Sequence, residues 1–404
     1  MKTYNETVEW LYHKLPIYQR TGASAYRPGL ERIHKIVDYL GNPHNKFQSI
    51  HIAGTNGKGS TAHLIASVFQ QAGYKVGLYT SPHLKDFNER VRVNGRVVER
   101  KEIVDFVAQH KTYFETHKSS FFEMTVGLAF DRFAFHQVDI AIVEVGLGGR
   151  LDATNIITPV LSIITNIGLD HTQFLGDSRS AIAREKAGII KNKIPILIGE
   201  KDAETQPVFE EVAKKCGAAI HWANDLVERV YESDLVGEYQ KENIRLAQAA
   251  VQLLPQFKIS QKNCKEGFLS VVKNTGIKGR WQCIGTAPMI VADVAHNKEG
   301  ISQVVSQIRK QRYQTLHLVL GFVQDKEIMP IVSLLPDEAK LYLCAANNPR
   351  SLQLNILEKY VSNKTSHYST YSSVAAAFSA AKNNAKSSDF IYVGGSTFVV
   401  AEVL

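Results

Sequence analysis

The sequence predicts an α/β protein with a mostly parallel sheet flanked by helices, followed by a second, smaller α/β domain. Short runs rich in β-branched residues alternate with stretches of helical periodicity, the pattern expected when helices connect parallel strands. One run, Ile140–Val143, is apolar throughout, as expected of a strand with both faces covered. The alternation lapses after residue 272 and resumes near residue 289, which predicts two separate sheets.

The elements follow in order along the chain. The strand candidates of the first sheet are Ser49–Ala53, Lys75–Tyr79, Ile140–Val145, Val160–Thr165 and Ile194–Ile198. Apolar residues at three- and four-residue steps predict a helix over Thr61–Ala72, which Gly73 terminates. The strand candidates of the second sheet are Met289–Asp293, Leu316–Leu320, Leu341–Ala345 and Phe390–Gly394.

The stretch Lys273–Gly285 separates the two groups of strands. It contains three glycines, few apolar residues and no clear period, so we predict a linker there. The chain is therefore expected to form an N-terminal α/β domain over residues 1–278 and a C-terminal Rossmann-like α/β domain over residues 279–404.

Composition and charge restrict the class of protein further. A chain of 404 residues suits two or three domains of ~150 residues each. The 47 basic and 39 acidic residues leave a charge of +8, but the basic residues are dispersed and no nucleic-acid partner is predicted. No apolar run reaches the ~20 residues of a membrane span, and the first residues lack a secretory pattern. With four scattered cysteines and no CxxC pair, a cytoplasmic protein without a membrane partner is expected.

A glycine-rich loop follows the first strand candidate. Gly54-Thr55-Asn56-Gly57-Lys58-Gly59-Ser60 lies between a strand and a helix, where backbone N–H groups and the helix N-terminus can bind phosphate. Lys58 is placed to reach the outer phosphates. The loop departs from GxxxxGK[ST], because Ile52 stands at the first glycine position and Gly59 separates Lys58 from Ser60. We predict that the nucleotide is held by Asn56, Gly57, Lys58, Gly59 and Ser60.

Phosphoryl transfer from a nucleotide also requires magnesium and hard oxygen ligands near the loop. Glu144 ends an apolar strand, at the sheet edge where ligands bind in open α/β folds, and is the strongest candidate. By residue type alone, Ser81 is a turn hydroxyl, His171 a loop or core histidine, and Lys186 a solvated helix lysine. The segment Gly146–Leu151 lacks the third glycine of a dinucleotide fingerprint and is predicted to be a tight turn beside the site.

The phosphate loop, with its shifted lysine and hydroxyl, resembles that of the Mur ligase superfamily, most closely of the folylpolyglutamate synthase family, whose members are often bifunctional with dihydrofolate synthase. Nine further motifs match that family in the same order along the chain: Thr80–Leu84, Asn88–Gly95, Phe121–Glu123, Glu144–Asn155, Gly168–Thr172, Arg184–Ile189, Gly279–Trp281, Asp293–Asn297 and Gly394–Ser396. Each motif is weak by itself. Their order over the whole chain makes the resemblance specific.

The resemblance implies a Mur-ligase-like central domain and an ATP-dependent ligase that joins L-glutamate to folates, through an acyl phosphate, with the C-terminal domain closing over the active site. It implies the cofactors ATP and Mg²⁺, with Ser81 and Glu144 on one ion and Glu144 and His171 on a second. It also implies that carbon dioxide carbamylates Lys186, which would convert a repelling ammonium into an anionic oxygen ligand of the second ion.

The resemblance further assigns residues to the substrates. Those it places at the pterin-bearing substrate are Arg27, Pro28, Gly29, Ser120, Phe121, Leu151 and Ala153. Those it places at ATP are Asn243, Arg280 and Asp293, and it makes His296, which follows a strand candidate, part of the catalytic cleft. The segment at residues 27–32 is equally consistent with a simple helix entry.

Family members with dihydrofolate synthase activity often carry Asp-Leu where this chain has Arg27-Pro28. The predicted substrates are therefore folate, L-glutamate and ATP, and the use of dihydropteroate is expected with less support. A monomer is expected.

Three other classes stay open at the level of the sequence. A Mur ligase of peptidoglycan synthesis would need a UDP-sugar domain, but only 53 residues precede Gly54. A nucleotide-dependent switch of the GTPase type would need an NKxD motif, which the sequence lacks. A nucleic-acid-binding protein is supported only by the net charge.

Overall fold

The computed structural model describes residues 3–15 and 29–404. Over these residues the chain forms two compact units. The first contains residues 3–15, 29–235 and 239–277, and the second contains residues 236–238 and 278–404. Each unit is built around one sheet, and the predicted α/β class is confirmed.

Within the described residues, the sheet of the first unit has eight strands in the order β4-β3-β2-β5-β1-β6-β7-β8. All neighbours are parallel except the β2–β3 and β3–β4 pairs, which are antiparallel. The strands are β1 (Gln48–Ala53), β2 (Val76–Tyr79), β3 (Val91–Val93), β4 (Arg96–Val97), β5 (Ile140–Glu144), β6 (Leu161–Ile164), β7 (Ile196–Ile198) and β8 (Ile220–Trp222).

Helices cover both faces of this sheet. They are α1 (Tyr4–Lys14), α2 (Glu31–Tyr39), α3 (Lys58–Gln71), α4 (Arg100–Thr116), α5 (Phe121–Phe135), α6 (Thr172–Leu175), α7 (Arg179–Ala187), α8 (Gln206–Cys216), α9 (Ala223–Leu226), α10 (Gln240–Gln252), α11 (Gln261–Phe268) and α12 (Val271–Thr275). Short 3-10 turns lie at Pro43–Asn45, Phe87–Arg90 and Ala153–Ile156.

The alternation of side chains along β5 explains why the sheet is buried on both sides. Ile140 and Ile142 belong to a core that α3 and α10 complete, whereas Ala141 and Val143 belong to a core that α1, α2, α4 and α5 complete. Because both faces pack against helices, every residue of the strand is buried, and Glu144 at its end is buried as well.

The second unit contains a six-stranded sheet in the order β13-β12-β11-β14-β10-β9, as far as the described residues show. Its strands are β9 (Gln282–Thr286), β10 (Met289–Ala292), β11 (Leu316–Leu320), β12 (Lys340–Leu343), β13 (Tyr368–Thr370) and β14 (Phe390–Gly394). Its helices are α13 (Lys298–Ile308), α14 (Ile328–Val332), α15 (Leu354–Ser362), α16 (Val374–Asn384) and α17 (Thr397–Val403). Only the β9–β10 pair is antiparallel.

The predicted linker at Lys273–Gly285 is wrong over much of its length. Residues Val271–Thr275 form a helix, and β9 begins at Gln282 and pairs with β10. An edge strand that is half-exposed carries little hydrophobic periodicity, so its sequence resembles a loop. The short strands β4, β8 and β13, which also lie at the edges of their sheets, escaped prediction for the same reason, and β3 was missed because it has only 3 residues. No described helix combines the length and the apolar character that crossing a bilayer requires.

Candidate active site

The phosphate loop, Ser81 and Glu144 meet at the carboxyl edge of the sheet of the first unit. The register pairs Ile52 of β1 with Glu144 of β5, so the loop that follows β1 lies beside the end of β5. Strand β2 pairs with β5 on the other side, and Ser81 follows it. The parallel order of three strands therefore places the phosphate loop, Glu144 and Ser81 at one edge.

The phosphate loop is held in place by the end of β6. The Asn56 N–H donates to Asn166 Oδ1 at 2.9 Å, and the Thr165 hydroxyl donates to the Asn56 carbonyl at 2.6 Å. A side chain at Gly54 would overlap the Thr165 hydroxyl, so the loop can lie this close to β6 only with glycine. Thr165 and Asn166 were not predicted from sequence, because nothing local marks them as partners of a loop 110 residues away.

Gly57 ends the loop and Lys58 begins α3, three residues before the predicted start of the helix. Gly57 has a φ of 83°, and a side chain on it would overlap Oδ1 of Asn243. The structure thus places Asn243 of α10 against the loop, and its role at the nucleotide stays a prediction. The N-terminus of α3 faces the same edge, where its amide groups favour an anion.

Two lysines converge on one carbonyl oxygen of the loop. Lys58 Nζ donates to the Gly54 carbonyl at 3.0 Å, and Lys186 Nζ donates to the same oxygen at 2.8 Å. Lys186 is buried, and burial, followed by the charge of Lys58, lowers its pKa to about 7. The interpretation of Lys186 as a solvated helix lysine is therefore wrong, because α7 turns it inward.

Ser81 and Glu144 are in direct contact. The Ser81 N–H donates to Glu144 Oε2 at 2.9 Å, and the Glu144 side chain is buried. Together, the Glu144 carboxylate and the hydroxyl of Ser81, its neighbour in space, are a donor set that suits Mg²⁺, which prefers hard oxygen ligands.

The remaining metal candidates are not assembled into a cluster. The His171 N–H donates to Asp170 Oδ1 at 2.8 Å, and its Nε2 lies 3.9 Å from the same oxygen. Over residues 3–15 and 29–404, no three histidine, cysteine, aspartate or glutamate side chains converge at metal-binding distances. The metal roles of Ser81, Glu144, His171 and Lys186 stay predictions.

Helix α10 contributes a residue that sequence reasoning missed. Gln240 is fully buried, accepts a hydrogen bond from Asn243 Nδ2 at 2.8 Å, and donates to the Ser60 hydroxyl at 3.3 Å. Gln240 and Asn243 lie three residues apart and therefore share one face of the helix. That spacing of two amide side chains was the only signal available in the sequence.

A buried network fixes the turn that follows Glu144. The amides of Gly146 and Leu147 donate to Asp152 Oδ2 at 3.0 and 2.9 Å, and the Thr154 hydroxyl donates to Asp152 Oδ1 at 2.5 Å. His51 Nε2 lies 2.8 Å from that hydroxyl, whose single proton is directed to the carboxylate, so the imidazole must donate. Burial lowers the pKa of His51 to about 3, with a smaller contribution from the charge of Lys191.

The predicted substrate residues lie on several elements. Ser120 caps α5, and the Phe121 ring packs near the rings of Tyr12 and Phe87, with centroids 5.8 and 5.6 Å away. The guanidinium of Arg90 lies 5.2 Å from the centroid of Phe121.

The other predicted substrate residues lie on different elements. Ala153 is buried in a 3-10 turn and Leu151 is half-buried before it, on the segment that the Asp152 network fixes. Gly29 precedes α2 with a φ of 121°. Arg27 and Pro28 lie outside the described residues.

In the second unit, Asp293 organises the turn after β10. Its carboxylate accepts hydrogen bonds from the amides of Trp281 at 2.6 Å and Ala295 at 2.8 Å, and it is buried. His296 Nδ1 donates to the Val294 carbonyl at 2.9 Å, and Arg280 donates to the Gly279 carbonyl at 3.3 Å. These contacts give Asp293 a structural role in this turn. The nucleotide roles predicted for Asp293 and Arg280, and the catalytic role predicted for His296, stay predictions.

Comparison with known proteins decides the family. The Mur ligase middle domain matches residues 52–259, and the glutamate ligase domain of Mur ligases matches residues 279–397. The dihydrofolate synthase/folylpolyglutamate synthase of Bacillus subtilis is 34% identical over 354 residues, which cover 80% of each chain. The enzyme of the same name from Escherichia coli is 32% identical over 93% of this chain and 90% of its own. The chain belongs to the folylpolyglutamate synthase/dihydrofolate synthase family.

Solved structures agree with this membership. E. coli FolC in complex with DHPP and ADP is 29% identical, with a TM-score of 0.87 and coverage of 100% of this chain and 97% of that one. A bifunctional folylpolyglutamate synthase/dihydrofolate synthase with Mn, AMPPNP and L-glutamate bound is 28% identical, with a TM-score of 0.85. The predicted family and the Mur-ligase fold are confirmed.

One of the relatives is much longer than this chain. A probable bifunctional folylpolyglutamate synthase/dihydropteroate synthase of Haloferax volcanii is 33% identical over 99% of this chain, which covers 50% of that protein. The match concerns the half of the Haloferax protein that aligns with this chain.

Proposed function

We propose that this protein is an ATP-dependent, ADP-forming ligase that adds L-glutamate to folates. The observation that carries the proposal is the convergence of a glycine-rich phosphate loop, its Lys58 and the Ser81–Glu144 pair at one sheet edge. The relatives support the choice of substrate, since those at 32–34% identity are named folylpolyglutamate or dihydrofolate synthases.

In the proposed reaction, a carboxylate oxygen of folate attacks the γ-phosphorus of ATP, and ADP leaves as the bond to its β-phosphate oxygen breaks. The amine of L-glutamate then attacks the acyl carbon of the acyl phosphate, inorganic phosphate leaves, and one proton is released as the amide forms. Lys58 and the amides of the phosphate loop stabilise the charge on the transferred phosphoryl group. Ser81 and Glu144 would hold Mg²⁺, which supplies further charge neutralisation.

The finer assignment of the metal ligands is also a proposal. His171 and Glu144 would hold a second Mg²⁺, and Lys186 would complete that site as a carbamate. The burial of Lys186 and its closeness to Lys58 support this, because both disfavour an ammonium there. A carbamate replaces the cation with an anionic oxygen donor.

The roles of further residues are proposed from the resemblance of their motifs to those of the family. The nucleotide would be held by Asn56, Gly57, Gly59, Ser60, Asn243, Arg280 and Asp293, and His296 would act in catalysis. The folate would contact Arg27, Pro28, Gly29, Ser120, Phe121, Leu151 and Ala153. Residues 1–278 thus serve ATP and folate, and residues 279–404 contribute to nucleotide and glutamate binding. We further propose a cytoplasmic monomer that acts on small molecules and binds neither nucleic acid nor membrane.

Dihydropteroate is a second proposed substrate. Several relatives are named dihydrofolate synthase/folylpolyglutamate synthase, and the E. coli FolC structure holds DHPP. The Arg27-Pro28 pair departs from the Asp-Leu expected for that activity.

The test is ATP turnover by the purified chain with Mg²⁺, measured as ADP release, with and without tetrahydrofolate and L-glutamate. We expect ADP release to require both, and mass spectrometry to show a folate product heavier by one glutamate residue. ADP release that is independent of either substrate would contradict the proposal. Replacing tetrahydrofolate with dihydropteroate tests the second activity separately.

A further inference from the structure

A largely buried ion pair joins the beginnings of α2 and α5. Arg32 Nε donates to Glu123 Oε1 at 2.8 Å, across 91 residues of sequence. The Glu123 side chain is 5% exposed and that of Arg32 is 31% exposed. Breaking such a pair from one side leaves a buried carboxylate uncompensated, which is costly.

The Glu123 side chain also caps the N-terminus of α5. Its Oε2 accepts a hydrogen bond from the Ser120 amide at 2.8 Å, and the Ser120 hydroxyl accepts one from the Glu123 amide at 3.2 Å. This reciprocal cap defines where α5 begins. One carboxylate therefore ties the start of α5 to Arg32 and, through it, to the first turn of α2.

The first turn of α5 contacts the candidate active site. The Phe122 ring fills the space where a side chain on Gly146 would lie, and Gly146 is two residues beyond Glu144. The neighbouring Phe121 ring packs near Tyr12. A shift of this turn would move Phe121 and would open the contact with the segment that follows Glu144, because close-packed interiors transmit displacements.

We propose that Arg32 and Glu123 are a positioning pair that places the first turn of α5 for folate binding. This inference rests on the proposed function, which locates folate beside Ser120 and Phe121. The pair acts through those residues and does not touch the substrate. The phosphate loop is held by β6 and α10 instead, so loss of the pair should weaken the binding of folate and spare that of ATP.

The experiment is a double-mutant cycle of Arg32→Met, Glu123→Gln and the double variant, with KM measured for tetrahydrofolate, ATP and glutamate. Glutamine keeps an oxygen for the Ser120 amide and removes the charge, and methionine keeps the aliphatic stem. Each single variant should raise the KM for tetrahydrofolate about tenfold and leave the KM for ATP within about twofold. The double variant should raise the KM for tetrahydrofolate no more than the more impaired single variant does, because both substitutions remove the same interaction.

The matched control is Arg132→Met, which removes ion pairs with Asp131 and Glu102 from the far end of the same helix. It should leave the KM for tetrahydrofolate unchanged. If circular dichroism shows that Glu123→Gln does not fold, Arg32→Lys is measured in its place. Its KM for tetrahydrofolate should then lie between those of wild type and Arg32→Met.

Four results would overturn the inference: a folate KM within about twofold of wild type in the singles, multiplying effects in the double, an equal rise in the ATP KM, or the same loss in Arg132→Met. An Arg32→Lys variant whose KM for tetrahydrofolate is as high as that of Arg32→Met would also overturn the inference. Absence of folate- and glutamate-dependent ADP release in the wild type contradicts the proposed function, and that measurement precedes the cycle.

Discussion

At the residue scale, the Gly54 carbonyl is the oxygen on which two lysines of the candidate active site converge. Lys58 and Lys186 both donate to it, and burial lowers the pKa of Lys186 to about 7. The two lysines differ in their surroundings, since Lys186 is buried whereas Lys58, at the helix N-terminus, is partly exposed. One lysine is therefore suited to hold phosphate as a cation, and the other is suited to lose its proton.

Replacing Lys58 tests the first of these roles. We expect Lys58→Met to lower the rate of folate- and glutamate-dependent ADP release by at least about a hundredfold, because a charge directed at the transferred phosphoryl group is lost. Circular dichroism should show an intact fold. Lys46→Met, which removes an exposed lysine before β1, serves as the control and should retain full turnover. Near-normal turnover in folded Lys58→Met would refute the assignment.

Lys186 allows a test that does not depend on turnover. With ¹³C-labelled bicarbonate, the protein should show a carbamate resonance in its NMR spectrum that Lys186→Ala lacks. Lys191→Ala is the control, because Lys191 is a half-buried lysine that donates to the Asn155 carbonyl at 2.7 Å. Lys186→Ala should also lower kcat much more than it raises the KM for ATP, since Lys58 remains. An unchanged resonance in Lys186→Ala together with full activity would exclude the carbamate.

At the scale of elements, the β1–loop–α3 unit depends on its contact with α10. Gly57 has a positive φ and lies where a side chain would overlap Asn243, whereas Gly41 has a φ of 77° and no atom within 4 Å of an added Cβ. The two glycines thus share a backbone conformation and differ in their surroundings. The contact lies on the loop itself, so its cost should appear in ATP binding.

We expect Gly41→Ala to cost only the backbone strain, about 1–2 kcal/mol of the free energy of unfolding. Gly57→Ala should cost more and should also raise the KM for ATP at least about tenfold, because the loop must move away from α10. Chemical denaturation and steady-state kinetics of the two variants provide the comparison. Equal losses of stability with an unchanged ATP KM would show that the overlap with Asn243 has no effect on the site.

At the scale of the whole molecule, several histidines are kept uncharged by the fold. Burial lowers the pKa of His44, His51, His110 and His317, most clearly for His51. The unfolded chain binds protons at these positions below pH ~6.5, whereas the folded chain binds them only at lower pH. Stability is therefore present above that pH and is lost as the pH falls toward the folded pKa values.

The pH range from 6.5 to 5 isolates this effect, because most carboxylates titrate lower. Each such histidine should remove up to about 1.4 kcal/mol of stability per pH unit. We expect the unfolding free energy of His51→Gln, measured with urea, to fall less steeply over this range than that of wild type. The control His13→Gln, at an exposed position on α1, should keep the wild-type slope. Identical slopes in all three proteins would show that His51 takes up a proton without unfolding.

The sequence by itself determined the fold class, the location of most strands along the chain, the phosphate loop and the position of Glu144 at a strand end. These features depend on local periodicity and on spacing within about ten residues, which the chain displays directly. The motifs were also sufficient for the family, because their order extends over the whole chain. Periodicity failed for β9 and the other short edge strands, where one face meets solvent and the apolar pattern fades.

Only the tertiary structure decided which side chains share an environment. Lys186 resembles a solvated lysine until α7 packs it against the phosphate loop, and Gln240 gains its place only where α10 meets α3. The bond between His51 and Thr154 and the Arg32–Glu123 pair each join residues about a hundred positions apart. Such contacts arise when separate elements pack, and packing depends on the whole set of buried surfaces, so no local pattern of residues encodes them.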